Sequence, residues 1–378
     1  MINLKKIVDL KNKKGEKTTF LLRPYQTGDE KEMLTCIREE YGETYFKREF
    51  YDSAYIRKKA KDGEITFLLA ETSDGEIAGM MLLKQFYPQE EMCEIASQIF
   101  RKKYRGYGLA THFFSYGMKI LKSGTYTAAY CLPVLFHDIT QRLLYKQGMR
   151  GTGLILNVFD VEKIVHSYIK GRNTKHSQGI QISAMAKQNA GMLYLPSEHQ
   201  DFCSKIYERL GVDYCFAEAK EGTLASQSSI SFKQEERQQN LEICIYSVGA
   251  DLKDRIRQIQ EDYPLSNKQT AGVFLNCNDA HAVWAYQILK ELGYFFTGLK
   301  PLCSDREYMV LHHPGEVEIF FEDYQLSDEF TEIVNYVQQC YEERKAMHED
   351  KKEKYYPTEI NDAVISNGIA DTVSCGES

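Results

Sequence analysis

The chain has 378 residues, 43% of them hydrophobic and 27% charged, and its 47 basic and 54 acidic side chains leave a net charge of −7. At about 150 residues per domain this predicts two or three domains with room for a sizeable core. The acidic balance argues against nucleic acid as a partner, and the longest apolar runs, such as Phe67-Leu68-Leu69-Ala70, fall far below the roughly 20 residues of a membrane span.

Ten cysteines without a Cys-x-x-Cys pair read as reduced thiols rather than a disulfide framework. The start, Met1-Ile2-Asn3-Leu4-Lys5-Lys6, has no apolar signal core, so the expected location is cytoplasmic. Thr18–Arg23 reads as a strand, and Asp29 as the N-cap of a helix with Met33, Ile37 and Tyr41 on one face. Ile65–Ala70 and Glu76–Leu83 are strands joined by the turn Thr72-Ser73-Asp74-Gly75. Met92–Phe100 is a strand, Gly108–Leu121 a helix, and Tyr126–Leu132 a strand ended by Pro133. His137–Gln147 is a helix stopped by Gly148, and Thr152–Leu156 a further strand. A helix is expected over Val161–Ile169 and another over His199–Leu210; residues 218–240, rich in Ser, Gln, Glu and Lys, read as a linker or an exposed hairpin. A second α/β block follows. It has strands at Leu241–Val248, Gly272–Asn276, Tyr308–Leu311 and Glu318–Phe321, and helices at Leu252–Gln260, Ala280–Leu292 and Asp328–Tyr341. Residues 345–378 are dense in charge and read as a mobile tail.

The most informative segment runs from Arg101 to Ala110, between a strand and a helix. A turn there aims several backbone N–H groups at one point, at the positive end of a helix dipole. Gly106 and Gly108 remove the Cβ atoms that would hold a ligand away, and Arg101, Lys102, Lys103 and Arg105 reverse the acidic balance locally. The expected ligand is a pyrophosphate. The third glycine of a dinucleotide fingerprint is missing, and no Gly-Lys-Ser/Thr follows for a P-loop.

With Arg105, Gly108 and Ala110 in place, the segment resembles the Arg/Gln-x-x-Gly-x-Gly/Ala loop of the GNAT superfamily of acyl-CoA-dependent N-acyltransferases. The resemblance extends over about residues 18–156 and includes a helix ending in Leu144, Tyr145 and Gly148, with Met149 in the aromatic place. It implies a mixed α/β sheet flanked by helices, with acyl-CoA, most simply acetyl-CoA, lying between the fourth and fifth strands. Gln98 and Phe100 would offer main-chain groups to the pantetheine arm. Arg105, Gly106, Tyr107, Gly108, Leu109 and Ala110 would surround the pyrophosphate. Tyr145 is the expected general acid beside the sulfur. Glu94 is the candidate general base, since strand alternation sets it on the same face as Gln98 and Phe100. The expected function is transfer of an acyl group to a primary amine of a small molecule; the alternative is a non-catalytic acyl-CoA sensor. The resemblance also allows a homodimer.

His112 reads as a solvated helix residue, and Cys93 and Cys131 as packing. The adjacent His312 and His313 point oppositely along a strand, and no metal site is expected. The domain reading is a catalytic domain over residues 1–157, a connector over 158–240, and a degenerate GNAT-like domain over 241–344. The last lacks the glycine loop, its nearest analogue being Leu275–Asp279; an unrelated regulatory domain is the other reading. The helix ends Leu143–Met149 and Ile288–Tyr294 echo one another.

Overall fold

The computed structural model of the chain describes residues 4–86, 89–164, 168–218, 223–303 and 306–355. Its first half contains β1 (Lys6–Lys11), β2 (Lys17–Pro24), α1 (Glu30–Tyr41), α2 (Ser53–Lys61), β3 (Ile65–Thr72), β4 (Ile77–Phe86) and β5 (Gln89–Phe100). α3 (Leu109–Lys122), β6 (Ala128–Cys131), α4 (Ile139–Lys146), β7 (Arg150–Asp160) and β8 (Lys175–Ala184) follow. β3 is apolar at consecutive positions because both its faces are covered. Phe67 and Leu69 pack with Met33 and Ile37 of α1 and Ile56 of α2, while Leu68 and Ala70 pack with Phe113 and Phe114 of α3. β1 and α2 were not legible in the sequence. β1 buries only Val8, and α2 is a short amphipathic stretch capped by Asp52, whose carboxylate accepts from the Ala54 N–H at 2.8 Å. Asp29 precedes α1 as expected but does not cap it. Its carboxylate accepts instead from Arg23 Nη1 and Nη2 at 2.7 and 2.9 Å, because a buried guanidinium needs a charged partner.

The second half contains β9 (Asn189–Leu193), α5 (Ser197–Leu210), β10 (Asp213–Phe216), β11 (Ser229–Glu235), β12 (Asn240–Ser247) and α6 (Leu252–Asp262). β13 (Thr270–Asn276), α7 (Ala282–Glu291), β14 (Phe295–Cys303), β15 (Arg306–His313) and α8 (Asp328–Tyr355) complete it. β9 and β10 form a small parallel pair, and the other thirteen strands make one mixed sheet in the order β1-β2-β3-β4-β5-β6-β8-β7-β14-β15-β13-β12-β11. The stretch 158–240, read from sequence as a connector, contributes β8, which is inserted between β6 and β7, and the edge strand β11. The helix expected over Val161–Ile169 is a 3-10 turn at Val161–Lys163, with residues 165–167 outside the described set. Glu318–Phe321 is not a strand; a 3-10 turn at Phe321–Asp323 follows it. Of the expected tail, residues to Tyr355 continue α8 and the rest lies outside the described residues.

The two halves repeat one pattern. β4-β5-β6-β8-β7 in the first corresponds to β11-β12-β13-β15-β14 in the second. They join along β7 and β14, where Gly153 pairs with Gly298. The flanking sequence is Thr-Gly-Leu in both strands. Thr152 Oγ1 donates to the Leu299 carbonyl at 2.9 Å, and Thr297 Oγ1 donates to the Leu154 carbonyl at 2.9 Å. Close backbone approach explains the glycines: a Cβ on Gly298, whose φ is +126°, would stand 2.3 Å from the Gly153 Cα. α8 covers the join. Glu329 accepts from the Gly151 N–H at 2.9 Å, Ile333 lies against Gly151 and Phe330 against Gly179.

Candidate active site

β5 and β6 are parallel and pair only at Met92↔Ala128, Cys93↔Ala129 and Glu94↔Tyr130. Beyond Glu94 they part. β6 ends at Cys131, Pro133 follows, and the edge of β5 from Ile95 to Phe100 faces a cavity of about 850 Å³. On its other edge β5 carries a bulge. Met80 pairs with Ile99 and Leu82 with Ala96, so Ser97 and Gln98 together oppose Met81, and Ser97 takes a φ of +50°. The bulge corrects the alternation argument for Glu94. Gln98 Nε2 donates to the Ala110 carbonyl at 3.3 Å and Phe100 packs on Phe113, both toward α3. Ala96 and Ile99 pack toward α1, and Glu94, two residues from Ala96, shares that side. Glu94 nevertheless reaches the cavity, which passes through the splayed sheet from the α3 and α4 face to the α1 and α2 face.

At the α3 end the chain turns through Gly106 and Gly108, with φ of +84° and +73°, and Gly108 is the N-cap of α3. Among the described residues the backbone N–H groups of Gly106, Tyr107, Gly108, Leu109 and Ala110 meet no protein acceptor. A Cβ on either glycine would meet nothing within 4 Å, so both face open space. These are the properties of an oxyanion cradle. The Tyr107 ring packs edge-on against Phe20 at 5.8 Å, which leaves its main chain to the loop.

The basic cluster behaves differently from its sequence reading. Arg101 pairs with Glu39, Glu32 and Glu76, Lys103 with Glu76, and Arg105 with Glu40. Glu32, Glu39 and Glu40 of α1 and Glu76, just before β4, therefore neutralise three of the four cations that the sequence reading left for a phosphate. Of the three, only Arg105 lines the cavity, where its Nη2 also donates to the Phe100 carbonyl at 3.3 Å. Donation by the main chain, rather than side-chain charge, is the loop's principal resource.

The α4 face presented to the cavity carries Ile139, Thr140 and Leu144. Tyr145, one residue on, is rotated by about 100° around the helix. It is 48% exposed, lies under the Arg150 guanidinium at 4.6 Å from the ring centroid, and is not among the lining residues. The acid expected from the resemblance thus stands outside the gap. Cys93 and Cys131 flank the gap as thiols: burial pushes Cys93 up to about 12 and Cys131 well above the ordinary thiol value. His137 lines the cavity and His112 does not.

Sequence reasoning missed the opposite wall. The end of α1 supplies Tyr41, and the connection from α1 to α2 supplies Tyr45, Phe46 and Lys47. Tyr45 Oη donates to Ser97 Oγ at 2.7 Å and pins the bulge, while Phe46 stacks against Phe159 of β7 at 4.6 Å. The aromatic density of Tyr41–Phe46, in a stretch with turn residues, was the available signal. Among the described residues no group of three His, Cys, Asp or Glu side chains is placed to hold a metal ion, and no helix is long and apolar enough to cross a membrane.

Among the described residues the corresponding strands of the second half do not part as β5 and β6 do. β12 and β13 stay paired from Asn240↔Thr270 to Ile245↔Leu275. By topology its counterpart of the glycine loop is Val248–Asp251, between β12 and α6, and not Leu275–Asp279. Three of its four N–H donors are already used. Val248 N–H donates to Asp279 at 2.9 Å, Gly249 N–H to Ser228 Oγ at 2.9 Å, and Ala250 N–H to the Ala225 carbonyl at 2.8 Å.

Residues 31–149 match the model of the Acetyltransferase (GNAT) family. Among solved structures, an N-acetyltransferase from Staphylococcus aureus Mu50 is 13% identical, with 44% of this chain and 99% of that one covered and a TM-score of 0.36. A spermidine/spermine N-acetyltransferase from Vibrio cholerae is 15% identical, with 44% and 92% covered and a TM-score of 0.36. No curated protein matches the sequence. The family match spans both the glycine loop and the splayed strands: residues 31–149 are a GNAT acetyltransferase domain within a longer chain.

Proposed function

We propose that the chain transfers an acyl group, in the simplest case acetyl, from acyl-CoA to a primary amine of a small molecule by direct attack. The observation that carries this reading is a continuity. Gly106, Gly108, Leu109 and Ala110 with their unpartnered N–H groups, the open edge of β5 and Glu94 all border one cavity. Its volume of about 850 Å³ suits a small-molecule site. The co-substrate's pyrophosphate would accept from the loop, and its pantetheine arm would add to the edge of β5 as a strand does. From Phe100 to Ile95 that edge spans about 16 Å at ~3.3 Å per residue, which brings the thioester beside Ser97 and Glu94.

There Glu94 takes a proton from the ammonium, directly or through one water, and the neutral amine attacks the thioester carbon. The new C–N bond forms, the C–S bond breaks, and the thiolate recovers a proton as the amide nitrogen loses its own. Tyr45 and Ser97 hold the bulge that aims the main chain at the carbonyl oxygen, a positioning task. Glu94 thus supplies the base, while the Tyr145 side chain has no contact with the gap through which to act as acid.

The test is thiol release from acetyl-CoA by the purified full chain across a panel of primary amines, with mass spectrometry of the products. Acceptor-dependent release with a mass gain of one acetyl group is expected. Tight acyl-CoA binding without transfer to any amine would overturn the enzyme reading and leave the sensor.

A further inference from the structure

At the acceptor end of the cavity Lys47 and Glu94 carry opposite charges and do not pair directly. Lys47 is half-buried in the connection between α1 and α2 and lines the cavity. Its Nζ donates to Ser97 Oγ at 3.4 Å and lies 5.5 and 5.8 Å from the ring centroids of Phe46 and Phe50. Among the described residues no carboxylate lies within ion-pair distance of it. Burial lowers the pKa of this amine, and the nearby Glu94 acts against that by favouring the ammonium. One hydroxyl and two ring faces are its neutral partners, and a ligand anion would supply the opposite charge at ion-pair distance that it lacks.

Glu94 is 8% exposed and lines the same end. The cavity's other carboxylate, Glu40, is held by Arg105, so one carboxylate remains to receive an amine. A long polycation needs several acidic contacts, which this end does not offer. Tyr41, Tyr45 and Phe46 wall the space around the two charges. The arrangement complements a molecule carrying one amine and one carboxylate close together, with an apolar remainder.

On the acyltransferase reading above, we propose that the acceptor is a small amino-carboxylate of the α-amino-acid type, its carboxylate paired with Lys47 and its amine set at Glu94. Lys47 then decides specificity while Glu94 serves the reaction. A charge-assisted contact of this kind accounts for about a tenfold preference for the acid over the matching amine.

The experiment compares the twenty α-amino acids with their decarboxylated amines by calorimetry on the full chain in the presence of CoA, for the wild type, Lys47→Met and Lys47→Arg. At least one acid is expected to bind about tenfold or more tightly than its amine. Lys47→Met should bring that ratio to within about twofold, and Lys47→Arg should restore part of it. Equal binding within every pair, a preference that survives Lys47→Met, tighter binding of the more cationic amines, or no binding by any acid would each overturn the proposal. Thiol release measured in parallel separates the two readings. A carboxylate preference without transfer removes the enzyme and keeps the site; transfer without that preference does the reverse.

Discussion

Replacing Glu94 with Gln isolates the proton-transfer role, because it keeps shape and removes charge at the last rung where β5 and β6 still pair. A primary alkyl amine with a pKa near ~10.4 is neutral in only about one molecule in 2,500 at pH 7, so an enzyme without a base must wait for that fraction. A positioned carboxylate contributes typically about 10²–10⁴-fold. Glu94→Gln should therefore lower kcat/KM at pH 7 by about 10²–10³-fold and leave acyl-CoA affinity within about threefold, since the glycine loop lies at the other end of the cavity. The deficit should shrink as pH rises, because the variant's rate follows the amine's own deprotonation, about tenfold per pH unit. A second effect follows from the neighbour. Without the Glu94 charge, burial acts on Lys47 unopposed by its largest favourable contact, so its amine loses its proton at lower pH, and the acceptor KM should rise earlier on the alkaline side. The assay is steady-state thiol release between pH 5.5 and 9.5. Glu94→Gln turnover equal to wild type with the same pH slope would refute the role and the placement of the thioester beside it.

Gly108→Ala forces a Cβ onto a residue at φ +73°, which should cost about 1 kcal/mol of stability and raise the KM for acyl-CoA about tenfold with less effect on kcat; unchanged KM would exclude the loop as the anion site. Tyr145→Phe should leave kcat within about twofold, given the ring's place under Arg150; a loss of tenfold or more would restore the phenol as acid. Gly298→Ala should destabilise by about 3 kcal/mol or more, measured by denaturant unfolding, because its Cβ would meet the Gly153 backbone at 2.3 Å; a smaller loss would mean that the join relaxes easily. Glu307 is buried, accepts from Tyr207 Oη at 2.9 Å and from the Leu302 N–H at 3.0 Å, and burial raises its pKa to about 8 from 4.5. Between those values the folded state holds a proton that the unfolded state has released, so stability falls as pH rises, by at most about 1.4 kcal/mol per unit. Glu307→Gln should flatten that fall between pH 5 and 8 in thermal unfolding, and an unchanged slope would refute the assignment.

What the sequence carried was local chemistry. Gly106 and Gly108 announce a strand-to-helix turn, and Pro133 announces the end of β6, because each acts through its own backbone. What it hid was relational. The bulge at Ser97 shifts the alternation of β5, so Glu94 reached the cavity from the α1 side although period-2 reasoning set it beside Gln98 and Phe100. Arg101, Lys103 and Arg105 fall within five consecutive residues, and nothing local reveals that Glu39, Glu76 and Glu40 meet them. Tyr145 and Leu144 differ by one helical step, and helix rotation decided which faced the gap. Thr-Gly-Leu at 152–154 recurs at 297–299, beyond the echo between Leu143–Met149 and Ile288–Tyr294, and only the join of β7 with β14 gives the recurrence its meaning.

That repeat bears on how many acyl-CoA sites the proposed reading allows. The two halves share a strand order, so fold alone predicts two gaps. A gap needs the parallel strands to part and the loop donors to be free, and the second half meets neither condition. Six paired positions keep β12 against β13 where three hold β5 to β6, and the main chain around Gln227 lies 2.3 Å from where a Gly249 Cβ would be. Segment 225–228 therefore packs directly onto this loop, and Ser228 and Ala225 accept from its Gly249 and Ala250 N–H groups. A buried donor left without a partner costs about 1–3 kcal/mol. A loop without a ligand must find acceptors within the protein, and a loop that binds an anion must leave its donors bare. Gly106–Ala110 are bare. The contrast within one chain, between a loop satisfied from inside and one awaiting an anion, argues for a single acyl-CoA site more strongly than the glycine loop does by itself.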